Sequence, residues 1–203
     1  MKKLIGLAAI ISTAAFALQV YPIPIKMDSS IRYKELHIEQ DRGKYQVFIK
    51  TWNQNKGEDI LRDTKDVVAY PKLIQAPKRV KIYRKQKGKI EIEKAYRIIL
   101  KELNVKPTPG ETKLVKTLSI PVFIEPVSKN PKLEVSCYGD VLKFKNSGNI
   151  HYKILSINKN KNMQYILPNQ IKEVQHVGVS GTVKTNRGDF KYQCIKTQRR
   201  ESK

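Results

Sequence analysis

Along much of this chain, apolar and polar residues take turns. Tyr45, Val47 and Ile49 alternate with Gln46 and Lys50, and Val80 and Ile82 flank Lys81. Tyr96, Ile98 and Leu100 alternate with Arg97 and Lys101, and Leu142 and Phe144 with Lys143 and Lys145. A period of two sends alternate side chains to opposite faces of an extended strand, so these runs predict strands with one buried and one wet face. Gly, Asn, Asp and Pro clusters separate them, which fits β-sandwiches better than alternating strand–helix units. Glu93–Leu103 also fits a helix with Ala95, Ile98, Ile99 and Leu103 on one side; its strand-like neighbours favour a strand. From Leu114 to Phe123 the chain reads as one long strand. Leu114, Leu118, Ile120, Val122 and Ile124 share a parity there, which makes one face apolar, with Lys116 interrupting the row.

The 203 residues include 40 Lys+Arg against 18 Asp+Glu, a formal charge of +22. Such an excess points to an acidic partner: nucleic acid, an anionic surface or an acidic protein. Two features turn the reading away from nucleic acid. Met1-Lys2-Lys3, the apolar stretch Leu4–Phe16 and Ala15-Phe16-Ala17 form a secretory leader with cleavage expected after Ala17. The apolar stretch is short for a membrane span, which needs about 20 residues. The charge is also even: residues 18–125 carry 23 basic and 13 acidic side chains, and residues 126–203 carry 15 and 5. A basic arm would split unequally, so the charge belongs to the surface at large. Pro126 and Pro131 bracket a short link, giving a leader over 1–17 and two domains over 18–125 and 126–203.

No catalytic set assembles from the motifs. His37, His151 and His176 have no ligand-like partner at i+2 or i+4, and Gly178-Val179-Ser180-Gly181-Thr182 lacks the last glycine of a nucleophile elbow. There is neither a phosphate loop nor a dinucleotide fingerprint. Glu91 and Glu93 read as a solvated acidic patch. No catalytic residue, metal site or cofactor is therefore expected. Cys137 and Cys194 both fall in the second domain, and in an exported protein such a pair reads as a disulfide, with two buried thiols as the alternative.

Several segments resemble the periplasmic pilus-assembly chaperones of the chaperone–usher pathway, especially the archaic or alternative branch. Leu18–Ile23 is similar to the family's opening strand, and Gln46–Trp52 to the strand that ends in tryptophan. Asp59-Ile60-Leu61, then Tyr70-Pro71 and Ala76-Pro77 ahead of Val80-Lys81-Ile82, resembles the proline-bearing stretch before a basic strand. Ala95–Leu103 resembles the tyrosine–arginine strand, and Leu118–Phe123 the last strand of the first domain. Asn146–His151 and Tyr165–Pro168 fall where the family's second domain has similar turns and strands.

The resemblance implies an all-β protein of two immunoglobulin-like β-sandwiches set at an angle, working without ATP, cofactor or covalent chemistry. Its partners would be a pilus (fimbrial) subunit and an outer-membrane usher, and its location the periplasm. The subunit lacks its own last strand, and the chaperone lends one by β-augmentation, here Leu114, Lys116, Leu118 and Ile120. Family members commonly hold the subunit's C-terminal carboxylate with an arginine in the first strand and a lysine in the last. Those positions fall here near Ile23-Pro24 and at Pro121, so neither base is present. Lys26, Lys81, Arg97 and Lys116 are the replacement candidates. The rival reading is an exported immunoglobulin-like adhesion or surface-binding module for anionic glycans or lipids.

Overall fold

The computed structural model describes residues 18–28, 30–39, 43–85, 87–103, 115–175 and 178–195. The leader, His176, Leu114 and the basic tail 196–203 lie outside them. Up to Glu125 the strands are β1 (Gln19–Tyr21), β2 (Ile25–Asp28), β3 (Tyr33–Glu39), β4 (Lys44–Asn55), β5 (Glu58–Asp63), β6 (Val67–Tyr70), β7 (Leu73–Gln75), β8 (Lys78–Arg84), β9 (Lys94–Leu103) and β10 (Thr117–Glu125). After it come β11 (Leu133–Tyr138), β12 (Val141–Asn146), β13 (Tyr152–Ile157), β14 (Asn160–Ile166), β15 (Gln170–Gln175), β16 (Ser180–Thr185) and β17 (Gly188–Gln193).

The strands form four sheets. Sheet A runs β1-β3-β8-β6, and sheet B runs β2-β10-β9-β4-β5 with β7 also on β4. Sheet C runs β11-β12-β15, and sheet D runs β14-β13-β16-β17. Among the described residues, no sheet mixes strands from the two sides of residues 126–132, and each pair of sheets encloses its own core. Ile25, Leu36, Val47, Ile82, Ile98 and Val122 are among the buried residues of the first, and Leu142, Phe144, Ile154, Ile166 and Val183 among those of the second.

The alternation in the chain is the alternation of these cores. On β9, Tyr96, Ile98 and Leu100 enter the first core, while Arg97 and Lys101 take the opposite parity. The helical alternative for this segment loses because β9 is a central strand, paired along its length with β4 on one side and β10 on the other. In the second sandwich, Cys137 of β11 and Cys194 beyond β17 form a disulfide across a separation of 57 residues. Ile195 N–H donates to Cys137 O at 3.1 Å and Gly139 N–H to Ile195 O at 3.2 Å, so the segment after β17 is stitched to sheet C beside the bridge. A bridge of this span restricts the unfolded chain and contributes roughly 2–4 kcal/mol.

Candidate functional site

Strand β10 is paired unequally along its two edges. It lies antiparallel to β9 from Thr117 opposite Lys101 to Ile124 opposite Lys94. On its other edge, parallel pairing with β2 begins only at Val122 opposite Ile25 and ends at Glu125 opposite Asp28. Among the described residues, Thr117–Pro121 therefore have a strand on one side alone. Pro121, with no amide hydrogen to give, sits at the residue where the second ladder stops. Burial sets in two residues earlier: Thr117 and Ser119 are exposed, Leu118 is half-buried, and everything from Ile120 to Glu125 is buried.

Of the four donor-strand candidates, Leu114 lies outside the described residues. Lys116 is exposed, and its backbone is held by Glu102, whose Oε2 accepts the Lys116 N–H at 3.1 Å and whose N–H donates to Lys116 O at 3.0 Å. Leu118 packs partly against the first core, and Ile120, 1% exposed, is inside it. A strand laid alongside would thus meet Ile120 through its open backbone edge and not through its side chain.

The four carboxylate-anchor candidates end in different places. Lys81 is on sheet A, 3.9 Å from Glu35 and 5.4 Å from the Tyr33 ring, away from β10. Lys26, on β2 opposite Phe123, has its Nζ 3.8 Å from Glu125. Lys116 lies just upstream of β10. Arg97 alone lies directly across from Pro121, on the neighbouring strand β9. Its guanidinium stacks 3.6 Å above the Trp52 ring and reaches Asp59 at 3.5 Å, and its side chain is 16% exposed. Burial pulls its pKa below the ordinary arginine value, with Asp59 pulling it back. The guanidinium remains charged at any physiological pH.

Below the open stretch, β10 enters a hinge between the sandwiches. Trp52, Ala95, Phe123 and Leu167 form a buried cluster with Tyr165 against it, drawing on both domains. The Phe123 ring stacks on His151 with centroids 3.8 Å apart. Glu93 was expected in a solvated patch and is instead enclosed: its carboxylate accepts the His151 backbone N–H at 3.0 Å and lies 2.8 and 2.9 Å from His151 Nδ1. The side chains of Glu93 and His151 are 0% and 1% exposed. Two carboxylate oxygens aimed at one ring nitrogen and one amide give the acid the partners that burial demands.

Neutral hydrogen bonds reinforce the contact. Asn149 Nδ2 donates to Glu91 O at 2.8 Å and to Ser128 O at 2.7 Å, and Gln54 Oε1 accepts Leu167 N–H at 3.0 Å. Gly148 is required where it stands, since a Cβ there would meet Lys132 N at 2.4 Å and Asn130 O at 2.5 Å. The turn Asn146–Ile150 can lie against the interdomain link only without a side chain at that point. Glu93, His151 and Gln54 were not singled out as site residues from their motifs. The pair Glu93–His151 is separated by 58 residues and is made only when the domains dock.

Two β-sandwiches joined by a short link, the first ending in a strand paired along one edge and only later along both, define the two-domain sandwich fold of the pilus chaperones. No family model matches the chain, and no curated protein matches it. Among solved structures, it is similar to a chain of the CsuC–CsuE chaperone–tip adhesion subunit pre-assembly complex from the archaic chaperone–usher Csu pili of Acinetobacter baumannii. The TM-score is 0.67 at 15% identity, covering 88% of this chain and 99% of that one. It is also similar to a chain of the Salmonella enterica SafA pilin–SafB chaperone complex, with TM-score 0.65, 15% identity and coverage of 90% and 98%. The E. coli chaperone DraB follows with TM-score 0.61, 18% identity and coverage of 88% and 98%. At these identities the likeness is one of fold.

Proposed function

We propose that this protein is a periplasmic chaperone that caps pilus subunits by donor-strand complementation and passes them to an outer-membrane usher. The observation that carries the reading is the open edge of β10 over Thr117–Pro121, beside a segment whose lower half is locked into the fold. An unpaired strand edge ordinarily invites aggregation, and a subunit missing one strand is the partner that satisfies it. Main-chain hydrogen bonds would supply affinity, and the half-buried Leu118 with the upstream apolar positions, Leu114 included, would enter the subunit's groove. Arg97 is the preferred anchor for the subunit's terminal carboxylate. It faces the position of the missing lysine, and its plane is held by Trp52, so little freedom is lost when a carboxylate pairs with its fork. Lys26, Lys81 and Lys116 are the less favoured positions. The leader over residues 1–17, cleaved after Ala17, would deliver the chain to the periplasm.

Co-expression with the small secreted β-rich proteins encoded beside it, followed by co-purification and mass spectrometry, tests the reading. A stable equimolar complex is expected, lost in Leu118→Glu and weakened in Arg97→Ala while both variants stay folded. If Leu118→Glu still captures the subunit at wild-type yield, the donor-strand assignment is wrong.

A further inference from the structure

The second sandwich presents two outward faces that both carry lysines and differ in electrostatics. On sheet C, Lys143 pairs with Glu173 at 3.2 Å and Lys145 with Glu134 at 3.4 Å. On sheet D, Lys153, Lys161, Lys184 and Lys191 have no ion pair among the described residues, and Asp189 is the one acid facing outward with them. The register groups them. Ser156 lies opposite Lys161 on one side and Lys184 on the other, so these lysines are two strand spacings apart, roughly 10 Å. Lys191 stands opposite Thr182 on the next strand. Exposed Met163 and Leu155 share the surface, at 62% and 36%.

This face begins where the β10 site ends. Lys153 Nζ lies 5.4 Å from the Tyr165 ring centroid, and the Arg97 guanidinium lies 5.8 Å from that same centroid. A partner seated on β10 beside Arg97 therefore meets sheet D next. We propose that the outward face of sheet D is a second docking surface, which receives an acidic segment of the client subunit; the identity of the occupant rests on the chaperone reading above. Four lysines that share one outward acid, Asp189 opposite Lys184, leave a net positive face that attracts a run of carboxylates, while the exposed Met163 and Leu155 give that segment apolar contact. Because these lysines are solvated, their main effect is on the rate of encounter and on its salt dependence. A flat anionic bilayer fits less well, since the first domain packs over the Tyr165 end of the same face.

The face is tested directly with a synthetic ten-residue oligoglutamate peptide titrated into the 15N-labelled mature protein. Amide shifts are expected on β13, β14, β16 and β17 and not on β11 and β12. Affinity should fall about tenfold or more between low salt and 0.2 M salt as screening sets in. Lys161→Glu/Lys184→Glu/Lys191→Glu should abolish binding, and Lys143→Glu/Lys145→Glu should leave it. Equal shifts on both sheets, or wild-type binding by the triple variant, overturn the proposal. So does binding of phosphatidylglycerol vesicles, but not the peptide, through the same lysines. With a captured subunit, the triple variant should associate about tenfold more slowly with a flattened salt dependence; an unchanged rate removes the client as occupant. Failure to capture any subunit would sink the chaperone reading and leave the peptide result to judge the face.

Discussion

The two halves of β10 share one chain direction, one alternation and one partner in β9, yet they live differently. Val122–Ile124 lie between β9 and β2, every residue from Val122 to Glu125 is buried, and Phe123 is fastened into the hinge against His151. Thr117–Pro121 keep β9 and lose the second neighbour. What separates them is whatever lies alongside, because β2 reaches back only as far as Val122. The difference has a mechanical consequence. A strand can be lent along a free edge without loosening its own domain only if the rest of it is held, and here the held half is also the interdomain joint.

The largest effects should come from substitutions that treat the halves as equivalent in their side chains. Ile120 lies in the open half but is 1% exposed, so Ile120→Glu would bury a carboxylate in the first core. That costs several kcal/mol, and loss of the cooperative thermal transition is the expected result. A normal melt would mean that the open half frees its side chains as well as its edge. Phe123→Ala, in the held half, should cost roughly 3–5 kcal/mol in urea titration, as large-to-small changes of buried aromatics do. It should also raise protease sensitivity around 126–132 by uncovering the hinge. Glu93→Ala follows: it leaves the buried His151 backbone N–H and ring Nδ1 without their partner, which should cost roughly 1–3 kcal/mol.

The strands were legible because parity is a local property. Tyr45-Val47, Val80-Ile82 and Leu142-Phe144 each announce a buried face within a few residues, and the cysteines announce a bridge through their number and context. Pairing was not legible in the same way. Leu118, Ile120, Val122 and Ile124 have one parity and similar chemistry, so nothing in them marks the point where β2 begins; Pro121 alone hints at it. Glu93 reads as a surface acid because its partner arrives from 58 residues away, through docking of a second domain. The lysines of sheets C and D alternate with apolar residues in the same manner. Only the structure reveals that one set is ion-paired with glutamates and that the other, among the described residues, makes no ion pair.

Alkaline pH gives a middle-sized test of the held half. Tyr96 lies opposite Val122, and burial first, then Asp66, pushes its hydroxyl up from 10.0 to about 12, against a downward pull from Arg84. A raised folded pKa means that the neutral hydroxyl stabilises the fold fully below pH 10 and that this contribution drains away between about 10 and 12. The urea midpoint should fall over that window. Tyr96→Phe should flatten the fall, though not remove it, since burial also raises the Tyr152 and Tyr165 hydroxyls. A profile identical to wild type would mean that Tyr96 does not resist ionisation and that the held half is wetter than its burial indicates.

The smallest effect on the free protein carries the most information about the open half. Leu118 packs only partly against the first core, so Leu118→Ser should cost about 1 kcal/mol, below the roughly 2 kcal/mol or more of removing a fully buried branched side chain. Amide exchange makes the comparison directly. Amides of Thr117–Ser119 that point away from β9 should exchange at rates close to those of exposed chain, while those of Val122–Ile124 should open only with the whole domain. Adding a captured subunit should slow the first group and leave the second unchanged, because a lent edge gains a neighbour only where it lacked one. Uniform protection along all of β10 in the free protein would instead mean that the edge is already covered, and the strand could not be lent without being pulled out.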